Sequence, residues 1–208
     1  MTGEVELVFP VRGNDDSDGI RRKSFLTEIR SETRDDIYGL VEELRKGRFS
    51  ELAEEDFSVS EARNPMALEN VINLHDGDEI GVRVDIGEMV KRVESGREVL
   101  MTDGFPNVKV TKTKREELVL FDGHHTLLAY MMTGRSYLCQ VPHLLVTDVG
   151  GAGFDDREIL AFFGDHAEKL KGEDWREFTI SWTKPEDEQL KSREYCDMGE
   201  LLEGFSGS

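Results

Sequence analysis

The stretch LVLFDGHHTLLAYMMTG, at residues 118–134, decides the fold. Its first part is a short apolar run that is typical of a buried strand, and its last part is an apolar run that predicts a helix ending at Gly134. Gly123 stands between them and lets the chain turn sharply from strand to helix, because glycine has no Cβ. We therefore expect an α+β fold, a small mixed sheet with flanking helices, centred on this unit.

The four residues at this turn, Asp122-Gly123-His124-His125, also carry chemistry. Asp122 can cap the helix, and the amides of the first helical turn suit an anion such as phosphate. The two histidines can donate hydrogen bonds to phosphate oxygens and act as acid or base near neutral pH. The structural alternative is an N-cap followed by polar residues at a helix start. A zinc site is disfavoured, because no Cys or His follows four residues later.

Predicted strands and helices flank the turn on both sides. Upstream, the pattern predicts a strand at 80–86, a helix at 87–99 and a strand at 107–112. Downstream, residues 137–147 predict a strand that contains Pro142. These elements follow one another without a long linker, so we expect them to form one unit.

The two ends of the chain are predicted to extend this unit. Residues 4–11 predict a short strand at the edge of the sheet, and residues 20–55 predict helices, because apolar residues recur every three or four positions. The glycines at 150, 151 and 153 predict a flexible joint, which is followed by a helix at 155–171 and a strand at 176–183.

This reading divides the chain into three parts. A helical N-terminal segment, residues 1–79, packs on the core; the core itself covers residues 80–149; and a helix–strand extension covers residues 150–208.

The pattern around the turn resembles that of the ParB/sulfiredoxin superfamily over residues 80–147. The shared features are a strand that ends in an Asp-Gly-His-His turn into a helix, the link Thr133-Gly134, and a strand with Val141-Pro142. The residue sequence of the turn is most similar to that of the free-serine kinases and the ParB-like nuclease domains of this superfamily. The resemblance implies a site for ATP or ADP, with Mg²⁺, at the start of the helix at 124–133. The implied nucleotide-binding residues are Asp122, Gly123, His124, His125, Thr126 and Lys109.

Three departures from the family pattern limit what the resemblance implies. Thr126 stands where the family commonly has an arginine that reaches the phosphates, so either the affinity is lower or another cation substitutes for the arginine. The candidates are Lys109, Lys112 and Arg135. His124 stands where sulfiredoxins have their reactive cysteine, which disfavours sulfiredoxin chemistry. The region after residue 150 is short and acidic where chromosome-partition proteins carry a helix-turn-helix, which disfavours centromere binding.

The resemblance to the free-serine kinases also implies a general base. In that family a glutamate between the first strand and the first helix deprotonates the substrate hydroxyl, and Glu88 is the nearest equivalent here. With His124 and His125 it completes the set of implied catalytic residues. The structural alternative for Glu88 is an exposed glutamate in the first turn of a helix, where a carboxylate favours the helix dipole.

The charge of the chain limits its partners. It has 208 residues, of which 44 are acidic and 26 basic, and its net charge is −18. Such an excess of negative charge disfavours phosphate backbones and anionic lipids, so nucleic acid and membrane surfaces are not expected as partners. The two cysteines form no disulfide framework, and the sequence has no secretory signal and no membrane-spanning segment, which favours a cytoplasmic protein.

Three interpretations of the function follow. The first is a nucleotide-binding enzyme, either a Mg²⁺-dependent phosphotransferase that acts on a small molecule such as serine or a nucleotide hydrolase. The second is a non-catalytic ParB-like module that regulates contact with a protein partner or a second copy of the chain. The third is a ParB-like nuclease, which the negative charge makes the weakest of the three.

Overall fold

The computed structural model describes residues 2–10, 19–28, 58–61, 66–73, 86–100, 105–162 and 175–177. The strands within these residues are β1 (Thr2–Pro10), β2 (Gly19–Glu28), β3 (Ser58–Glu61), β4 (Ile72–Asn73), β5 (Val108–Lys112), β6 (Leu118–Asp122) and β7 (His143–Asp148). The α-helices are α1 (Ile86–Glu94), α2 (His124–Met132) and α3 (Asp156–Phe162). Short 3-10 helices lie at Leu68–Asn70, Leu138–Gln140 and Trp175–Glu177. Within these ranges, no helix is long and apolar enough to cross a membrane.

The seven described strands form one mixed sheet, in the order β3-β2-β1-β7-β5-β6-β4. β4 runs parallel to β6 and β5 runs parallel to β7, whereas the other neighbouring strands are antiparallel. Helices accompany this sheet, so the expected α+β class with a mixed sheet is confirmed. A ParB/sulfiredoxin-like core stays a prediction.

Apolar side chains cover both faces of the central strands, because successive residues of a strand point to opposite faces. On one face, Leu120 of β6 belongs to a cluster with Leu127 and Tyr130 of α2. On the other face, Phe121 of β6 packs against Phe162 of α3, with ring centroids 5.1 Å apart and the rings edge to face. α2 and α3 therefore lie on opposite sides of the sheet.

The N-terminal segment enters the sheet as strands. β1 lies between β2 and β7, so the prediction of an edge strand is wrong. Pro10 is the last residue of the β1 ladder, where its missing N–H costs little. The helix predicted from residue 20 is also wrong over residues 20–28, all of which pair with β1. The hydrogen bonds to β1 outweigh the local helical periodicity, as tertiary pairing commonly does.

The strand predicted at 80–86 is wrong at its one described residue. Ile86 is the first residue of α1, and the rest of that segment lies outside the described residues. The described strand that precedes α1 is β4, in which Ile72 pairs in parallel with Val119 of β6. The predicted helix at 87–99 is present as α1, and Gly96 follows it with a φ of 76°.

Two predicted strands downstream are also corrected. Residues Leu138–Gln140 form a 3-10 helix, and β7 begins at His143, so Pro142 precedes the strand instead of lying inside it. A proline at this place removes no hydrogen bond from the ladder of a central strand. Residues 176 and 177 belong to the 3-10 helix Trp175–Glu177 and not to a strand.

The glycine-rich segment after β7 forms a hydrogen-bonded turn, and its flexibility stays a prediction. The Gly153 N–H donates to Asp148 Oδ1 at 2.9 Å, and Lys112 Nζ donates to the Gly151 carbonyl oxygen at 3.0 Å. A Cβ at Gly153 would lie 2.4 Å from the carbonyl oxygen of Thr113. The close approach of this turn to the end of β5 therefore explains the glycine at 153.

Several predictions lie outside the described residues. They are the helices over 29–55, the distal part of the helix at 155–171, and the strand at 176–183 beyond residue 177. The domain boundaries stay predictions, although β1 and β2 belong to the same sheet as the strands of the predicted core.

Candidate functional site

The turn from β6 into α2 is built around Gly123, as the sequence predicts. Its backbone has a φ of 84° and a ψ of 28°, the left-handed region in which a residue with a Cβ is strained. The turn leaves no room for a side chain either, because a Cβ would lie 2.5 Å from the carbonyl oxygen of Asn107 and 2.7 Å from the Cα of Val108. The turn therefore lies directly against the start of β5.

A buried ion pair joins β5 to this turn. Lys109 Nζ lies 2.6 Å from Asp122 Oδ2 and donates a second hydrogen bond to the Asn107 carbonyl oxygen at 3.2 Å. The Lys109 side chain is 1% exposed, whereas that of Asp122 is 34% exposed. Desolvation of an ammonium group is costly unless a counter-charge compensates for it. The buried Lys109 ammonium therefore needs its counter-charge more than the partly exposed Asp122 carboxylate does.

Asp122 stabilises the turn in a different way from the one predicted. Its Oδ1 accepts a hydrogen bond from the Gly123 N–H at 2.8 Å, while its other oxygen contacts Lys109. The N-cap of α2 is Gly123, which has no side chain, so the prediction that Asp122 caps the first turn of α2 is wrong. Asp122 is still the last residue of β6, and its carboxylate is held beside the ladder by the lysine of the neighbouring strand.

An irregularity between β5 and β6 brings Lys109 and Asp122 together. Val110 pairs with Leu120, and the register then shifts so that Lys109 pairs with Asp122. A bulge of this kind bends a strand and re-aims a side chain. The alternation of residues in the sequence gives no sign of the shift, so this contact was not predictable from pattern alone.

The first turn of α2 is made of buried polar residues. His124, His125 and Thr126 are 7%, 8% and 3% exposed, respectively. Thr126 Oγ1 accepts a long hydrogen bond of 3.5 Å from Asn107 Nδ2. Asn107 is absent from the predicted set, because its contact with Thr126 depends on how α2 lies against β5.

Of the three cations proposed to replace the family arginine, the structure places Lys109 at the turn. Lys112 lies at the other end of β5, where its Nζ contacts Glu116 at 2.5 Å and the Gly151 carbonyl oxygen at 3.0 Å. Arg135 follows the C-terminus of α2, so the length of the helix separates it from Gly123. The residues brought together at the turn are therefore Asp122, Gly123, His124, His125, Thr126 and Lys109.

Glu88, the predicted general base, lies in the first turn of α1. Its side chain is 60% exposed and forms an ion pair with Lys91 in the next turn of the same helix. Its position matches the structural alternative of an exposed carboxylate near a helix N-terminus. Its contact with Lys91 lies within α1, and its role as a base stays a prediction.

Tyr130 anchors α2 to the segment that follows α1. Its hydroxyl donates to Glu98 Oε2 at 2.7 Å and accepts from the Val99 N–H at 3.0 Å, and the side chain is fully buried. Burial and the neighbouring Glu98 carboxylate raise the pKa of the Tyr130 hydroxyl well above its usual value. The tyrosine thus fixes the position of the helix that carries the two histidines.

A third buried histidine, His143, is the first residue of β7 and lies at the same end of the strands as Val108. It pairs with Val108, the neighbour of Asn107, and is 4% exposed. Its Nδ1 lies 2.7 Å from the Val141 carbonyl oxygen, and this nitrogen carries a proton, because a carbonyl only accepts. His143 is therefore a histidine of the core.

Comparisons with known proteins assign no relative to the chain. No protein-family model matches the sequence, and neither a curated protein nor a solved structure matches it significantly. Within the ranges that the structure describes, no group of three or more His, Cys, Asp and Glu side chains is placed to hold a metal ion. Any assignment of function therefore depends on the geometry of the Gly123 turn.

Proposed function

We propose that this chain is a nucleotide-binding cytoplasmic protein of the ParB/sulfiredoxin type, and that it acts as a Mg²⁺-dependent phosphotransferase on a small hydroxylated molecule or as a nucleotide hydrolase. The observation that carries the proposal is the Gly123 turn, where the N-terminus of α2, two adjacent histidines and the ammonium of Lys109 come together. Helix N-termini and ammonium groups both favour phosphate oxygens.

Lys109 supports this proposal because it supplies the positive charge that Thr126 lacks. The lysine reaches the turn from the neighbouring strand, and its ammonium lies against Asp122, the residue before Gly123. A phosphate at the start of α2 would compete with Asp122 for this ammonium. We therefore expect the nucleotide to bind with moderate affinity, since the gain from the new contact is offset by the weakening of an existing ion pair.

The donors at the turn fit a phosphate group better than they fit an isolated magnesium ion. Mg²⁺ takes oxygen ligands and is usually held by one or two carboxylates together with substrate phosphates. Asp122 is a carboxylate at the turn, but its two oxygens already contact Lys109 and the Gly123 N–H. Mg²⁺ would therefore be held chiefly by the nucleotide and would neutralise charge on the transferred phosphoryl group.

The burial of the histidine pair favours a second candidate function, that of a non-catalytic binding module. His124 and His125 are each less than a tenth exposed, and Glu88 is engaged with Lys91 at the surface of α1. A catalytic acid or base must reach the proton that it transfers. If these histidines stay covered when a ligand binds, they position the turn, and the ligand regulates a contact with another protein.

Thermal unfolding in the presence of ATP, ADP, CTP and GTP, with and without Mg²⁺, tests nucleotide binding. A ligand that binds the folded state raises its stability by about 2–3 kcal/mol at a hundredfold excess over the dissociation constant. We expect one of these nucleotides to raise the unfolding temperature of the wild type. The rise should disappear in His124→Ala/His125→Ala and shrink in Lys109→Met.

Lys112→Met is the matched control, because it removes a lysine from the other end of the same strand. Its nucleotide response should equal that of the wild type. The absence of a response to every nucleotide would overturn the proposal. If a nucleotide binds, Mg²⁺-dependent release of phosphate or its transfer to serine identifies an enzyme, whereas binding without turnover identifies the regulatory module.

A further inference from the structure

A cavity lies at the opposite end of α2 from the Gly123 turn. Its volume is about 430 Å³, within the range of pockets that hold small molecules. Leu128, Met131 and Met132 of α2 line one side of it. The nine residues of α2 span roughly 12 Å, so this cavity is distinct from the turn, and an inference about it does not depend on the proposed nucleotide site.

Backbone hydrogen bonds hold the walls of this cavity in place. The Leu68 N–H donates to the Ser136 carbonyl oxygen and the Leu138 N–H donates to the Met66 carbonyl oxygen, both at 2.9 Å. These bonds join the 3-10 helix before β4 to the segment after α2. The cavity is therefore formed without a ligand, which lowers the entropic cost of binding one.

Arg135 contributes a positive charge to the cavity. The residue lines the cavity just after the end of α2 and is the basic residue among those that line it. The guanidinium group has the planar donor geometry that binds a carboxylate through two parallel hydrogen bonds.

The other charges around the cavity favour a cation beside that carboxylate. Glu69 also lines the cavity, and the carbonyl end of a helix attracts positive charge. The Glu69 carboxylate repels a simple anion, whereas a zwitterion carries no net charge and can place its cation beside this carboxylate. Arg135 and Glu69 can therefore hold the two charges of one small molecule.

We propose that this cavity binds a free α-amino acid with an apolar side chain. Its carboxylate pairs with Arg135, its ammonium with Glu69, and its side chain packs on Leu128 and the methionines at 131 and 132. Tyr137, which is 41% exposed, lines the same cavity and adds apolar contact area. The flexible thioethers of the two methionines adapt to side chains of different shape, so we expect leucine, methionine and phenylalanine all to bind.

Methyl NMR on the full chain labelled at its seven methionines tests this assignment. Titration with leucine, methionine or phenylalanine at millimolar concentration should shift the methyl signals of Met131 and Met132. Leucinamide, which lacks the carboxylate, and 4-methylvalerate, which lacks the ammonium, should each bind at least tenfold more weakly than leucine. The absence of any shift, or equal binding of leucine and 4-methylvalerate, would overturn the proposal.

Variants of Arg135 test which group holds the carboxylate. Arg135→Gln should weaken leucine binding about ten- to hundredfold, because it removes a charge-assisted pair of hydrogen bonds. Arg135→Lys keeps the charge without the planar donors and should lie between the wild type and Arg135→Gln. Arg157→Gln, which removes an exposed arginine on α3, is the matched control and should bind leucine like the wild type. Equal affinity of all four proteins would rule out the carboxylate contact.

Discussion

Lys109 and Asp122 form an ion pair across β5 and β6 in which the lysine is buried and the aspartate is one-third exposed. The two partners are thus unequal. Loss of the aspartate leaves an ammonium group without its counter-charge in the interior, whereas loss of the lysine leaves a carboxylate that water can still reach.

The first prediction compares these two losses. Asp122→Asn should lower the free energy of unfolding by about 3 kcal/mol, and Lys109→Met by about 1 kcal/mol. Urea unfolding of both variants, monitored by circular dichroism, measures the difference. Equal losses would show that the buried ammonium does not depend on Asp122 for its stability.

The second prediction concerns the glycine at the turn. Gly123→Ala should cost more than about 3 kcal/mol, because the left-handed backbone strain is added to a clash of the new Cβ with the Asn107 carbonyl group. Gly134→Ala is the matched control: its φ is 86°, but a Cβ there meets nothing within 4 Å. We expect that variant to lose about 1 kcal/mol in the same urea unfolding experiment. Similar losses for the two would mean that strain alone, and not the contact with β5, requires glycine at 123.

The third prediction concerns alkaline pH. The pKa of Tyr130 is raised in the folded protein, so its stabilisation is fully present below the pKa of the unfolded chain, near 10, and is lost as the pH rises above that value. Tyr130→Phe should be less stable than the wild type by about 1–2 kcal/mol at neutral pH, because two hydrogen bonds are removed. Urea unfolding at a series of pH values above 9 should show this gap closing. A stability difference between the two proteins that stays constant above pH 9 would contradict the raised pKa of Tyr130.

The fourth prediction concerns acid. The Arg176 guanidinium donates to Asp156 and to both oxygens of Glu117 and lies 4.2 Å from the Trp175 ring. Its hydrogen bond lowers the pKa of Asp156, so this stabilisation is present above the unfolded value, near 3.8, and is lost as the pH falls below it.

Arg176→Gln should therefore be less stable than the wild type at neutral pH, by about 1 kcal/mol, since the site is partly exposed. The difference should shrink below pH 4, which unfolding curves across the acid range would measure. Arg157→Gln, on the same helix as Asp156, serves as the control and should behave like the wild type throughout. A difference that persists in acid would point to the contact with Trp175 instead.

Local pattern predicted the elements around the site well. The strand before Gly123, the helix after it and the conformation of the glycine itself follow from an apolar run, a glycine and a second apolar run. Each of these signals is contained within a few residues of the chain, and the pairing of β6 with β5 and the packing of α2 agree with it.

The sequence pattern failed to predict the structure where contacts between residues distant in sequence decide it. Gly19–Glu28 has apolar residues at helical spacing, but β1 offers a complete ladder of hydrogen bonds to it. The contact of Lys109 with Asp122 depends on a register shift between strands, and that of Asn107 with Thr126 depends on the position of α2 against β5. Neither can be found from residues that are adjacent in sequence.

The place of β7 in the sheet has a consequence for how the chain is made. Val5 pairs with Val146, so β1 leaves the ribosome about 140 residues before β7, one of the strands that it pairs with. Until then, β1, β2 and β3 can form only a sheet with an open edge at β1, and β4, β5 and β6 a second sheet with an open edge at β5. Such edges attract other strands, and contacts this far apart form slowly. Synthesis of His143–Asp148 is therefore the step at which two separate three-stranded sheets become one. Nascent chains that stop before it should remain sensitive to protease and prone to aggregate.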